Sequence, residues 1–187
     1  MELNHIFRKR AHNLMALVAG CQKLSTYLNR LERQSVLFPD RYDPNDYAGD
    51  GFHLFVEALI KLSPVDNRIA ISDFQVVEGL DTGVDGFGIG INGKPATVQC
   101  KFRGDKRWLL TANNDHLSNF LAASQNKYGV DINDKANMLI VTSGEGLHFF
   151  TEAEMLYGKV RCIGYKELRE LVDNNIPFWN KFRELCS

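Results

Sequence analysis

The sequence predicts an α/β protein in which helices flank a mixed central sheet, with core order α-β-β-β-α-β and an extra helix at the N-terminus. Three observations carry this prediction. Residues 136–142, ANMLIVT, form a nearly continuous apolar run, which suits a central strand covered on both faces. Residues 83–102 contain two short β-rich runs separated by Asn92-Gly93, a strong hairpin turn. Residues 51–62 and 113–128 carry apolar stripes at helical spacing on either side of the β-rich segment.

In chain order, Leu14, Leu17, Val18, Cys21, Leu24, Leu28 and Leu31 follow an i, i+3, i+4, i+7 pattern, which predicts one amphipathic helix over about 5–34. Residues 8–21 also resemble a bacterial lipoprotein cleavage box ending at Cys21. The helical periodicity runs straight through the cleavage point, so the helix is the preferred reading. Residues 35–50, with two prolines and four aspartates, read as a loop whose acids serve turns and caps. A helix from Asp50 or Gly51 places Phe52, Phe55, Val56, Leu59 and Ile60 inward, with Glu57 beside them. Arg68 to Glu78 reads as a strand, followed by the hairpin and the basic loop FRGDKRW. Asn113 to Tyr128 reads as a helix closed by Gly129. After the central strand come a short helix near 152–157, a strand near 159–163, and helices near 165–173 and 178–185.

The 187 residues, 44% hydrophobic, are enough for one substantial core. A formal charge of -1 excludes a protein that coats nucleic acid through overall basicity, so such contacts must come from local patches. Arg8-Lys9-Arg10 is one patch, and Lys101, Arg103, Lys106 and Arg107 form another beside the hairpin. Four cysteines with no CxxC pair fit a reduced, cytoplasmic protein, and no stretch is long enough to span a membrane.

The chemistry concentrates in residues 81–101. Alternation along a strand sends Gln99 and Lys101 one way and Cys100 the other, and the hairpin sets Asp85 on the neighbouring strand. A carboxylate, an amide oxygen and an ammonium then share one sheet edge. Oxygen donors suit a hard divalent cation, and a lysine beside it can orient or deprotonate the attacking water. Glu57 would complete the metal shell from the neighbouring helix. Asp81 could assist Asp85, although a loop aspartate is the more ordinary role. Trp108 could stack on a base, although a partly buried core tryptophan is the more ordinary role, and Asn114 and His116 could face substrate, although a helix cap is the more ordinary role for Asn114.

With Glu57 on the first helix, Asp85 on the second strand and Gln99-Cys100-Lys101 on the third, the chain resembles the PD-(D/E)xK nuclease superfamily, the restriction-endonuclease-like fold. GVDGFG followed by VQCKF is similar to its Mrr-type branch, where glutamine replaces the central acid in a QxK signature. LIVTSGEG and CIGYKELRELV are similar to that branch's closing elements, and the likeness covers roughly residues 50–175. Val84 stands where the family has proline, and Gln99 leaves the site less anionic than a carboxylate would.

The resemblance implies a nuclease domain over 49–187 and leaves the N-terminal helix and linker over 1–48 outside it. It implies that Asp85, Gln99, the Cys100 main-chain carbonyl and Glu57 hold Mg²⁺, with Mn²⁺ as a substitute, and that Lys101 activates water for phosphodiester hydrolysis. DNA is the implied partner, contacted by Lys101, Arg103, Lys106 and Arg107. One site per chain makes a homodimer the simplest way to cut both strands. No Walker loop is present, so a helicase or translocase would be a separate protein or domain. The competing expectation is a catalytically inactive nucleic-acid-binding or assembly module on the same fold.

Overall fold

The fold is taken from a computed structural model that describes residues 1–77, 83–131, 137–151 and 160–187. Helices α1 (Phe7–Arg10), α2 (Leu14–Val18) and α3 (Leu24–Ser35) precede the long α4 (Pro44–Leu62). Strands β1 (Ile71–Val76), β2 (Gly86–Gly90), β3 (Pro95–Lys101) and β4 (Leu109–Leu110) lead to α5 (Leu117–Asn126). Then come β5 (Met138–Thr142), β6 (Gly146–Leu147), β7 (Arg161–Ile163), α6 (Tyr165–Val172) and α7 (Ile176–Cys186).

The main sheet has five strands in the order β1-β2-β3-β5-β7. β1, β2 and β3 pair antiparallel, whereas β3, β5 and β7 run parallel, so the architecture is α/β with a mixed sheet. The β2–β3 turn falls at Asn92-Gly93: Gly93 takes φ +75°, and Asn92 Oδ1 accepts the Lys94 N–H at 3.1 Å. The glycines of β2 have a packing reason. A Cβ on Gly86 would meet the Phe74 ring at 2.2 Å, because β1 bulges between Ser72 and Gln75 and folds that ring over its neighbour.

Alternation along the central strands divides the interior into two layers. Ala96, Val98 and Cys100 of β3, with Leu139 and Val141 of β5, face the layer built by α1–α4, α6 and α7. Met138 and Ile140 face the smaller layer under α5 with Leu117 and Phe120. Thr97 belongs to that second face, since its hydroxyl lies 2.7 Å from Ser124 Oγ on α5. Every residue of β5 is buried, as its unbroken apolar run requires.

Three boundaries differ from the sequence expectation. The single helix over 5–34 is three helices, because the chain turns extended at Ala11 and enters the left-handed region at Gly20, φ +62°. Its apolar periodicity survives because all three pieces bury the same stripe. α4 begins at Pro44, six residues before the expected start, with the Asp43 carboxylate capping the Asn45 N–H at 2.8 Å. The expected division between 48 and 49 therefore falls inside α4, and residues on both sides of it, from Leu3 to Cys186, share one apolar cluster. The parallel pair β4–β6 was not foreseen: two residues each are too few for a periodic signal. The expected short helix near 152–157 lies outside the described residues.

Two buried aromatic tips in the large layer are satisfied. Trp179 Nε1 donates to the Val172 carbonyl at 2.7 Å, and Tyr27 Oη donates to the Gly51 carbonyl at 2.7 Å. Among the described residues, no helix is long and apolar enough to cross a membrane.

Candidate metal centre

The site forms where β2 parts from β3. Pairing between the strands begins at Gly86–Val98, and the residue before it, Asp85, donates its own N–H to the Val98 carbonyl at 2.9 Å. Beyond that point the Cys100 N–H has no strand partner. The Asp85 carboxylate takes the place of one, with Oδ2 accepting the Cys100 N–H at 2.6 Å. Val84 is packed under α5, which sends the Asp85 side chain away from that layer toward α4. There His53 Nε2 lies 3.9 Å from Asp85 Oδ2, and both side chains are about a quarter exposed. That separation is too long for a hydrogen bond but close to the spacing of two ligands on one ion.

One hydrogen bond leaves most of the Asp85 lone pairs open. Gln99 is 1% exposed, and its Oε1 is buried without a hydrogen-bond partner among the described residues. Such an orphan costs about 1–3 kcal/mol unless something supplies the missing charge or donor. Lys101 ends β3 half-buried, and its ammonium makes no hydrogen bond or ion pair among the described residues. Cys100 and Lys101 line a cleft of about 790 Å³ together with Asn45 and Gly49 of α4, Trp108 and Asn114. The Cys100 thiol is pushed well above its usual range by burial, with the Asp85 charge adding and Lys101 opposing. Asp85 and the Cys100 N–H thus meet at the strand split, Gln99 and Lys101 flank Cys100 on β3, and Lys101 lines the cleft.

Glu57 does not join them. Its carboxylate is 0% exposed and accepts the Asn4 N–H at 2.7 Å, the His5 N–H at 3.0 Å and Lys61 Nζ at 2.6 Å. The expected metal ligand is instead the anchor of the N-terminal segment, because that segment crosses α4 at this turn and brings its two N–H groups with it. The helix offers His53, one turn earlier on the same face, in the position where a carboxylate was sought. A histidine at i−4 from Glu57 was the available signal. His53 also groups with His5 and Asp50, whose donor atoms lie within 4.8 Å of one another.

The basic loop is largely tied to the protein itself. Arg103 donates to the buried Asp115 carboxylate and to the Phe102 carbonyl, while Lys106 pairs with Glu32 at 3.2 Å and lies over the Phe102 ring. Of the four residues expected to contact DNA, Arg107 is the most open, its side chain 89% exposed with a 3.6 Å contact to Asp105. Trp108, expected in the core, is 43% exposed at the cleft. α5 starts after His116, which is left-handed at φ +53°, so Asn114 is not its cap. Asp81 lies outside the described residues.

The donor set is compatible with a divalent cation. It offers one open carboxylate, an orphaned amide oxygen and an imidazole, fewer hard oxygens than Mg²⁺ prefers. Searches against protein-family models and among curated proteins find no match for this chain.

Proposed function

We propose that the protein is a divalent-metal-dependent DNA endonuclease with a restriction-endonuclease-like fold, similar to Mrr-type PD-(D/E)xK enzymes. The observation that carries this reading is an open carboxylate, Asp85, bonded at the strand split to the Cys100 N–H, with Lys101 next along β3 lining a cleft and its ammonium unpaired among the described residues. The element order α4-β1-β2-β3-α5-β5 supports it, with an antiparallel meander joined to a parallel strand.

Asp85, the Gln99 amide oxygen, the Cys100 carbonyl and His53 would hold the ion. When bound, a divalent ion acidifies water and neutralises charge on a phosphodiester. Lys101 would orient the attacking water and offset the negative charge that grows on the phosphate oxygens. Asp85 fixes the strand end by bonding the Cys100 N–H and keeps lone pairs for an ion. Trp108 offers an exposed ring for a base at the cleft wall, and Arg107 a screened contact to the backbone. Two chains acting together would cut both strands, and a translocating motor would have to come from another domain or protein.

The test is cleavage of supercoiled plasmid in Mg²⁺ and in Mn²⁺, with EDTA, Asp85→Ala and Lys101→Ala as controls. Full activity of Lys101→Ala sinks this mechanism. The second reading is a binding or assembly module without cleavage, and the commitment of Glu57 to the N-terminal segment favours it, since it leaves the site one acid short. Binding of duplex, single-stranded or branched DNA without any cutting would establish that alternative.

A further inference from the structure

We propose that His53, Asp85 and Cys100 form a mixed nitrogen, oxygen and sulfur centre that selects a borderline transition-metal ion of the Zn²⁺ type over Mg²⁺. This deepens the nuclease reading by assigning the metal class of the same site, and its closing measurement does not depend on cleavage.

One donor atom from each residue, His53 nitrogen, an Asp85 oxygen and Cys100 Sγ, lies within 4.8 Å of the others. On a tetrahedral ion with bonds of about 2.0–2.3 Å, such atoms stand about 3.3–3.7 Å apart. His53 Nε2 and Asp85 Oδ2, at 3.9 Å, need only a few tenths of an ångström of closure. The three donors come from separate supports: α4, the entry to β2, and the end of β3. Two of those supports are fixed independently of any ion. Asp85 is held by the Cys100 N–H, and Cys100 by pairing of β3 with β5 at Val141.

The His53 ring makes no hydrogen bond among the described residues, and its partners are the 3.9 Å carboxylate contact and the edge of His5. An imidazole and a thiol are poor ligands for Mg²⁺, whose sites are built from oxygens, but are ordinary ligands for Zn²⁺ and its neighbours. With His53, Asp85 and Cys100 as its three protein ligands, such an ion would keep a fourth position for water or substrate, in place of the oxygen donors a Mg²⁺ site would take from Gln99 and the Cys100 carbonyl. Binding forms one sulfur–metal bond as the thiol proton passes to solvent, so the thiol is neither oxidised nor reduced.

The probe is Co²⁺, which stands in for Zn²⁺ and reports its ligands by absorption. Titration of the full chain should give one Co²⁺ per protein, with a sulfur-to-metal charge-transfer band in the near ultraviolet and intense d–d bands. Zn²⁺ should displace it, and a hundredfold excess of Mg²⁺ should not. Cys100→Ser should remove the charge-transfer band, Cys162→Ser should keep it, and His53→Ala should weaken Co²⁺ binding at least tenfold. His53 is part-exposed, so its variant tests the centre even if Cys100→Ser does not fold. Co²⁺ bound without a charge-transfer band, or displaced equally by Mg²⁺, overturns the assignment. Plasmid cleavage by the native chain in Mg²⁺ with no such band keeps the nuclease reading and discards this centre. The band without cleavage of any DNA does the reverse.

Discussion

Two carboxylates on the same side of the sheet meet opposite fates. Asp85 spends one oxygen on the Cys100 N–H and remains open beside an imidazole and a thiol. Glu57 is fully buried and receives three donors, two of them main-chain groups of the N-terminal segment. A fully buried carboxylate with both oxygens bonded is an anchor, while a part-exposed one with an oxygen to spare beside an imidazole is a candidate ligand. Helix position alone does not tell the two apart, because His53 and Glu57 share a face of α4 and only the crossing of the N-terminus separates their surroundings.

The sharpest break of this contrast is Asp85→Ala or Lys101→Ala, each expected to lower plasmid cleavage by about 100-fold or more. A loss below tenfold for Asp85→Ala would remove it from the centre. Glu57→Ala should act on stability instead. It takes the acceptor from the buried His5 N–H, from the Asn4 N–H and from the largely buried Lys61 ammonium, which keeps only the Glu2 carbonyl, and an unfolding free energy lower by about 3–5 kcal/mol is expected from urea titration. Its Co²⁺ affinity should match that of the native chain; a tenfold drop would bring Glu57 back into the metal shell.

Alkaline pH probes the Glu57 side next. Burial raises the Cys21, Cys100 and Cys186 thiols and the Tyr27, Tyr42 and Tyr47 phenols, with Cys186 pushed up to about 12 and Tyr47 to about 12. The folded chain keeps these groups protonated while the unfolded chain ionises near 9.0 for thiols and 10.0 for phenols. Their contribution is therefore complete below pH 9 and is lost as pH rises toward the folded values. A urea midpoint that stays level between pH 8 and pH 11 would contradict that sign. The smallest effect belongs to the basic loop: Arg107→Ala should leave the urea midpoint unchanged and reduce the salt slope of DNA binding by about one. Arg103→Ala should lower the midpoint, because it abandons the buried Asp115.

The sheet was legible because its signals are local. β5 reads from its apolar run, the hairpin from Asn92-Gly93, and the opposed faces of Gln99 and Cys100 from strand alternation. The meeting of Asp85 with the end of β3 at Cys100 follows from that register. What stayed hidden depends on contacts between distant residues. Nothing near Glu57 in sequence announces that Asn4 and His5 will donate to it, and nothing near Arg103 announces Asp115 as its clamp. The split of the first helix was masked for a related reason: three short helices that bury one continuous stripe keep the periodicity of a single long one.

The seam between the N-terminal helices and the C-terminal end has a bearing on how the chain is made. The Leu24 N–H is capped by Asp173 Oδ1 across 149 positions, Asn174 N–H donates to the Gln22 carbonyl, and Leu17 and Val18 bury in the same cluster as Trp179 and Phe182. During synthesis α1 and α3 can pack on α4 as soon as it emerges, whereas the apolar face of α2 that meets α7 stays open until α7 leaves the ribosome. At about 5–20 residues per second, that exposes it for roughly 8–30 seconds. Late burial makes α2 the segment a nascent-chain chaperone would hold, and a chain stalled before residue 176 would present that face uncovered.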